Sequence, residues 1–120
     1  MKSEKADHRI LIVEDDHSIR EMLQELFEME GYQVYAAENG KLALEILAKV
    51  TPCLVLLDLM MPVMNGWEFL EIQGKSQVLA SIPVVVMSAV RESIKPQSVK
   101  DFIKKPVDFD VLLDVVKQYC

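Results

Sequence analysis

Four short apolar runs constrain this chain most, because each stops abruptly at a polar residue. The most telling is Leu54-Val55-Leu56-Leu57, which leads straight into Asp58 and is followed by Pro62 and Asn65-Gly66. A run this short, with no 3.6-residue period and closed by turn residues, reads as a strand buried on both faces of a parallel sheet. Asp58 then stands at the carboxyl end of a central strand, where open α/β sheets gather ligands and chemistry. Taken alone, an aspartate that ends a strand is more often a turn cap. The other runs change that balance. Arg9 to Val13 leads into Glu14-Asp15-Asp16, Ile82 to Met87 into Ser88, and Phe102-Ile103 into Lys104-Lys105-Pro106.

Helical signals separate the runs. Asp16 or Ser18 can cap a first helix, with Glu21 at capping-box spacing from Ser18. Ile19, Met22, Leu23, Leu26 and Phe27 form its apolar stripe, and Gly31 ends it. Tyr32 to Ala37 is a more polar strand, expected nearer an edge. Leu42, Ala43, Ile46, Leu47 and Val50 mark a second helix over Lys41 to Val50, broken by Thr51-Pro52. Gly66 to about Gln73 forms a short third helix with Phe69 and Leu70 inward, and Gly74 to Ser81 is a polar connection. Pro96 forbids a long helix between Arg91 and Lys100. Asp108 caps a last helix whose stripe is Val111, Leu112, Val115, Val116 and Tyr119. Five β-α alternations imply a five-stranded parallel sheet with helices on both faces and right-handed crossovers.

The chain has 120 residues, the size of one domain. Residues 1–8 are polar and expected to be a flexible leader, leaving 9–120 as the domain. A net charge of −6, with no basic stripe, argues against nucleic-acid binding. No apolar run is long enough to cross a bilayer, and the charged start lacks the apolar core of a signal peptide. Cys53 and Cys120 provide no disulfide framework, which points to a reduced, cytoplasmic setting.

In a parallel sheet the strand ends share one edge, so Glu14, Asp15, Asp58, Ser88 and Lys105 converge. Like charges about 4 Å apart cost several kcal/mol each in a partly screened site. Such a cluster persists where a hard divalent cation or a shared proton relieves it, and Mg²⁺ suits carboxylate oxygens. A hydroxyl and an ammonium alongside match the needs of a phosphoryl group. Asp58 is then the natural nucleophile, by aspartyl-phosphate chemistry. Each residue has a plainer role, as helix cap, strand-end hydroxyl or surface lysine; the conjunction argues for a site.

These stretches resemble a response-regulator receiver domain: Ile-Leu-Ile-Val-Glu-Asp-Asp at 10–16, Leu-Leu-Asp-Leu-Met-Met-Pro at 56–62 with Met64-Asn65-Gly66, Ile-Pro-Val-Val-Val-Met-Ser-Ala at 82–89, and Phe-Ile-Lys-Lys-Pro at 102–106. The resemblance implies a flavodoxin-like doubly wound sheet of order 2-1-3-4-5. It makes Asp58 the phosphoacceptor and Asp15 a direct Mg²⁺ ligand, with Asp58 and the Met60 carbonyl completing the protein ligands and Glu14 acting through water. Mn²⁺ is expected to substitute. Ser88 would hydrogen-bond the phosphoryl group, Lys105 would pair with it, and Phe102 holds the place of the switch aromatic. The Lys105–Pro106 bond is expected to be cis. The implied partners are a histidine kinase or histidine phosphotransfer protein and an output protein.

The chain departs from the family between Ser88 and Phe102. This segment is short and contains Pro96, so the fourth helix is expected to be shortened or irregular, and the domain a monomer. Met60 and Val90 occupy the positions flanking the hydrolytic water; both are apolar, which predicts slow dephosphorylation. A stand-alone regulator is expected over a receiver excised from a hybrid kinase or longer regulator, because the sequence ends with the last helix; both readings stay open. The alternative reading is a binding module that works without phosphorylation. A conventional enzyme is not expected, since a phosphatase would want a cap domain or an added acid. A flavodoxin-type protein would want a Ser/Thr/Gly-rich loop where this chain has three acids.

Overall fold

Two-sided burial organises the molecule. The computed structural model describes residues 8–89 and 98–120. Its strands are β1 (Arg9–Val13), β2 (Gln33–Ala37), β3 (Leu54–Asp58), β4 (Val84–Ser88) and β5 (Val99–Lys104). They form one sheet, all parallel, in the order β2-β1-β3-β4-β5. Every residue of β3 and β4 is buried, as their unbroken apolar runs require, whereas β2 at the edge is largely half-exposed.

The helices are α1 (His17–Met29), α2 (Gly40–Leu47), α3 (Gly66–Gly74), α4 (Gln77–Ala80) and α5 (Phe109–Tyr119). The period-2 alternation of the strands sorts them into two layers. Ile10, Ile12, Leu56, Val85 and Met87 face Leu23 and Phe27 of α1 and Leu112 and Val116 of α5. Leu11, Val13, Val55, Leu57 and Val86 face Ala43 and Leu47 of α2 and Phe69 and Leu70 of α3. Each fully buried Leu or Ile contributes about 1.5–3 kcal/mol to holding the layers together.

Several boundaries differ from those expected, for identifiable reasons. Asp16 caps α1, its carboxylate accepting from the Ile19 amide, so Ser18 lies inside the helix and makes no capping box. A capping box forms instead at α3, between Asn65 and Glu68. Met22 is 46% exposed, at the margin of the apolar stripe. Asn39 caps α2, which starts at Gly40, one residue before Lys41, and stops at Leu47. Ser76 caps the single turn α4 inside what reads as a polar connection. β5 begins at Val99, well before Phe102. As an edge strand it tolerates Lys100 and Asp101, and its register shifts where it meets Val84 and Val85. His8 also belongs to the fold: its carbonyl accepts from the Gln33 amide, and its ring centroid lies 5.2 Å from that of Tyr32. The rest of the expected 1–8 leader (residues 1–7), Val90, Pro96 and the shortened fourth helix fall outside the described residues.

Contrary to the expectation of no disulfide framework, the two cysteines pair. Cys53 and Cys120 are joined as a disulfide, their Cα atoms 5.7 Å apart across a sequence separation of 67 residues. The fold brings the start of β3 beside the end of α5, a proximity that spacing along the chain cannot reveal. Among the described residues, no helix is long and apolar enough to cross a membrane.

Candidate functional site

The carboxyl ends of β1, β3 and β4 and the loop after β5 meet at one edge of the sheet. Glu14 continues β1, its amide donating to the Ala37 carbonyl at 3.0 Å, which turns the side chain inward. That side chain is fully buried. One carboxylate oxygen receives Lys105 Nζ at 2.7 Å; the other accepts from the Asp16 amide at 3.2 Å. Asp15 is exposed at the mouth of the site. Asp58 is 3% exposed, with Oδ1 accepting from the Met60 amide at 3.2 Å and Oδ2 lying 3.5 Å from Lys105 Nζ. Oxygen atoms of Glu14, Asp15 and Asp58 all lie within 4.8 Å of one another, so this trio could hold a metal ion. The donors are hard oxygens, and a small divalent cation with some retained water fits them.

Lys105 is positioned by its backbone. Its amide donates to the Ser88 carbonyl at 2.9 Å, and its bond to Pro106 is cis, as expected. Ser88 is fully buried and follows Met87, the residue paired with Asp58 across β3 and β4. Phe102 lies on β5. It is half-buried opposite Val86 and packs on the layer formed by α2 and α3. The Met60 side chain is 54% exposed beside the cleft, which has a volume of about 270 Å³ and is open to solvent.

Two residues of this site escaped the sequence reading. Arg20, one turn into α1, donates from Nη1 to the carbonyls of Glu14 at 2.8 Å and Asp15 at 3.4 Å, tying the acidic loop to its helix. Its spacing from the acids was the available signal. Gly66 packs against the end of β3 so closely that a Cβ would lie 2.7 Å from both the Asp58 carbonyl oxygen and Leu59 Cα. Asn65-Gly66 was visible as a turn, but its closeness to Asp58 was not.

The electrostatics follow from this crowding. Burial, and then the charge of Glu14, push the Asp58 carboxyl up from 3.8 to about 7, against the opposing pull of Lys105 and the Met60 amide. Burial disfavours the Lys105 ammonium, yet the hydrogen bond and charge of Glu14, with the charge of Asp58, outweigh it and raise Lys105 above the ordinary lysine value. The site therefore holds a charged lysine, a buried glutamate committed to it, and an aspartate whose charge is unstable without further positive charge.

Residues 10–117 match the model of the response regulator receiver domain. The chain belongs to that family. This receiver domain is 40% identical to sporulation initiation phosphotransferase F of Bacillus subtilis, an alignment covering 94% of each chain. It is 33% identical to the regulatory protein AtoC of Escherichia coli, of which it spans only 25%. Among solved structures, response regulator protein TrrA of Thermotoga maritima, in complex with Mg²⁺-BeF, superimposes with a TM-score of 0.81 at 33% identity, covering 93% of this chain and 98% of that one. The receiver domain of a signal transduction histidine kinase from Syntrophus aciditrophicus gives 0.83 at 31% identity, covering 92% and 88%. The receiver fold expected from the sequence, with its sheet order 2-1-3-4-5, is the one observed.

Proposed function

We propose that this receiver domain accepts a phosphoryl group on Asp58 from a phosphohistidine of a histidine kinase or phosphotransfer protein, and that the modification changes which protein it binds. One observation carries the reading: the converging oxygens of Glu14, Asp15 and Asp58, with Lys105 Nζ between Glu14 and Asp58.

An Asp58 oxygen attacks the phosphorus in line while the phosphorus–nitrogen bond of the donor breaks, the imidazole leaving with the electron pair and taking a proton. Lys105 need move little to leave Asp58 for a new phosphoryl oxygen, because its shorter contact is with Glu14. Ser88, at the end of the adjacent strand, supplies a hydroxyl donor to the same group. Asp15, Asp58 and the Met60 carbonyl would hold Mg²⁺ or Mn²⁺. Glu14 would act through water, since both its oxygens already have partners. Such an ion supplies positive charge that favours ionised Asp58 and offsets the charge of the transferring group. The TrrA complex contains Mg²⁺, which supports this assignment.

On the same reading, residues 9–120 work as a cytoplasmic, monomeric domain that binds proteins rather than nucleic acid or membrane. Phe102 is the switch aromatic. The domain is an enzyme only in catalysing its own phosphorylation and slow dephosphorylation. The test is incubation with acetyl phosphate and Mg²⁺, followed by intact mass. One phosphoryl group per chain is expected, lost with EDTA or in Asp58→Asn. No adduct from either acetyl phosphate or a phosphohistidine donor would overturn the proposal, as would an adduct that survives Asp58→Asn.

A further inference from the structure

We propose that Cys53 and Cys120 form a reversible redox modification site, a dithiol closed to a disulfide by a peroxide-class oxidant and reopened by a dithiol reductant. The phosphoacceptor chemistry makes no use of this pair.

The geometry accommodates the bonded state. The Cα separation of 5.7 Å in the bonded pair lies within the range a disulfide ordinarily spans. Both residues are partly buried against the layer under α1 and α5, where the side chains are held beside each other. It also accommodates the reduced state. Cys53 Sγ lies 3.1 Å from the Arg9 carbonyl oxygen, so the thiol of a reduced Cys53 has an acceptor there. The Cys53 amide donates to the same carbonyl at 2.7 Å, fixing the start of β3 whether or not the sulfurs are joined. A chain in a reducing compartment with this pair would hold it as a responsive bond rather than a permanent one.

The chemistry balances. One thiolate attacks an oxygen of hydrogen peroxide, giving a sulfenic acid and water once a proton is taken up; the second thiol displaces a further water to form the S–S bond. Two thiols and one peroxide become a disulfide and two waters. A dithiol such as thioredoxin reverses this by two exchanges, leaving as its own disulfide.

Position decides the consequence. The pair lies at the amino-terminal end of β3, about 16 Å of strand from Asp58. Closure joins that end to the last turn of α5 and encloses the stretch carrying Asp58, Ser88 and Lys105. Oxidation therefore restrains α5 and favours the folded state by about 10³-fold, the chain-entropy effect for a loop of this length, while leaving phosphorylation unchanged.

The chain would be reduced, treated with stoichiometric hydrogen peroxide, and mapped by peptide mass without reductant. The expected product is a monomer with Cys53 linked to Cys120, reopened by thioredoxin. Its urea midpoint should rise above that of the reduced form, whereas peroxide should leave the midpoint of Cys120→Ser unchanged. Phosphorylation by acetyl phosphate should proceed at the same rate in both redox forms. Sulfinic acid or intermolecular dimers in place of the internal link would overturn the proposal. A link that thioredoxin cannot reopen would also overturn it, marking a permanent disulfide. If Cys120→Ser fails to fold, Cys53→Ser and the reduced wild-type chain provide the same comparison.

Discussion

Replacing Asp58 with asparagine should stabilise the metal-free domain, and the gain should depend on pH in a defined way. An unfolded aspartate ionises near 3.8, whereas Asp58 in the folded chain ionises at about 7. Between those values the folded chain holds one proton more than the unfolded chain, so stability falls as pH rises. Below the window both forms are protonated; above it both are ionised and the penalty is constant. Roughly three pH units at 1.36 kcal/mol each give a penalty of about 4 kcal/mol at pH 8. Asparagine keeps an oxygen for the Met60 amide and does not titrate. It gives up the attraction to Lys105, a modest loss because Lys105 remains on Glu14 at 2.7 Å. Asp58→Asn is thus expected to be about 2–3 kcal/mol more stable than wild type at pH 8 in EDTA. Most of that advantage should vanish by pH 5, where folded Asp58 is already neutral. Urea unfolding of both proteins at several pH values measures this directly. Saturating Mg²⁺ at pH 8 should stabilise wild type by about 2.7 kcal/mol at a hundredfold excess over its Kd, and the variant much less. An advantage independent of pH between 5 and 8, or a variant less stable than wild type at pH 8, would refute the account of Asp58 as a carboxylate held at high energy by burial and Glu14.

Three further substitutions test the surroundings of the site. Gly66→Ala places a Cβ 2.7 Å from backbone at the end of β3, so it should cost about 1–3 kcal/mol in urea unfolding and slow phosphorylation by acetyl phosphate. Val63 has a φ of 69°, the left-handed region that a β-branched residue rarely enters, and it is 76% exposed. Val63→Gly should therefore raise stability by about 1 kcal/mol, seen as a higher urea midpoint with unchanged slope. Met60→Asn introduces a side chain that can orient water beside Asp58, and should shorten the lifetime of the phosphorylated domain about tenfold, the worth of one good hydrogen bond. Decay followed by intact mass would show it.

Most of the fold was legible because parallel strands buried on both faces leave an unmistakable trace. β1 has the boundaries its apolar run implies, and β3 ends at Asp58 as its run implies. The misses cluster where that trace fades. β5, at the edge, includes the charged residues Lys100 and Asp101, so an apolar-run criterion saw only Phe102-Ile103. α4 is a single turn whose formation depends on a side-chain cap and tertiary support rather than on periodicity. Ser18 and Glu21 form no capping box because Asp16 caps α1, while α3 has its own box between Asn65 and Glu68. At the site, the residue types and their places at strand ends were readable. What each touches was not.

By itself, the sequence determined the alternation of buried strands and amphipathic helices, and hence a parallel sheet with its polar strand ends on one edge. It thereby determined which residues would meet: Glu14, Asp15, Asp58, Ser88 and Lys105. Only the tertiary structure decided how they share one another. Glu14 takes Lys105 and withdraws into the interior, Asp15 remains exposed, and Asp58 is left with a carboxyl pushed up to about 7. The same holds for the pairing of Cys53 with Cys120. Local patterning records which face of an element is buried, because burial has a period along the chain. Contacts between residues far apart in sequence have no period, and distance and desolvation exist only once the sheet has assembled.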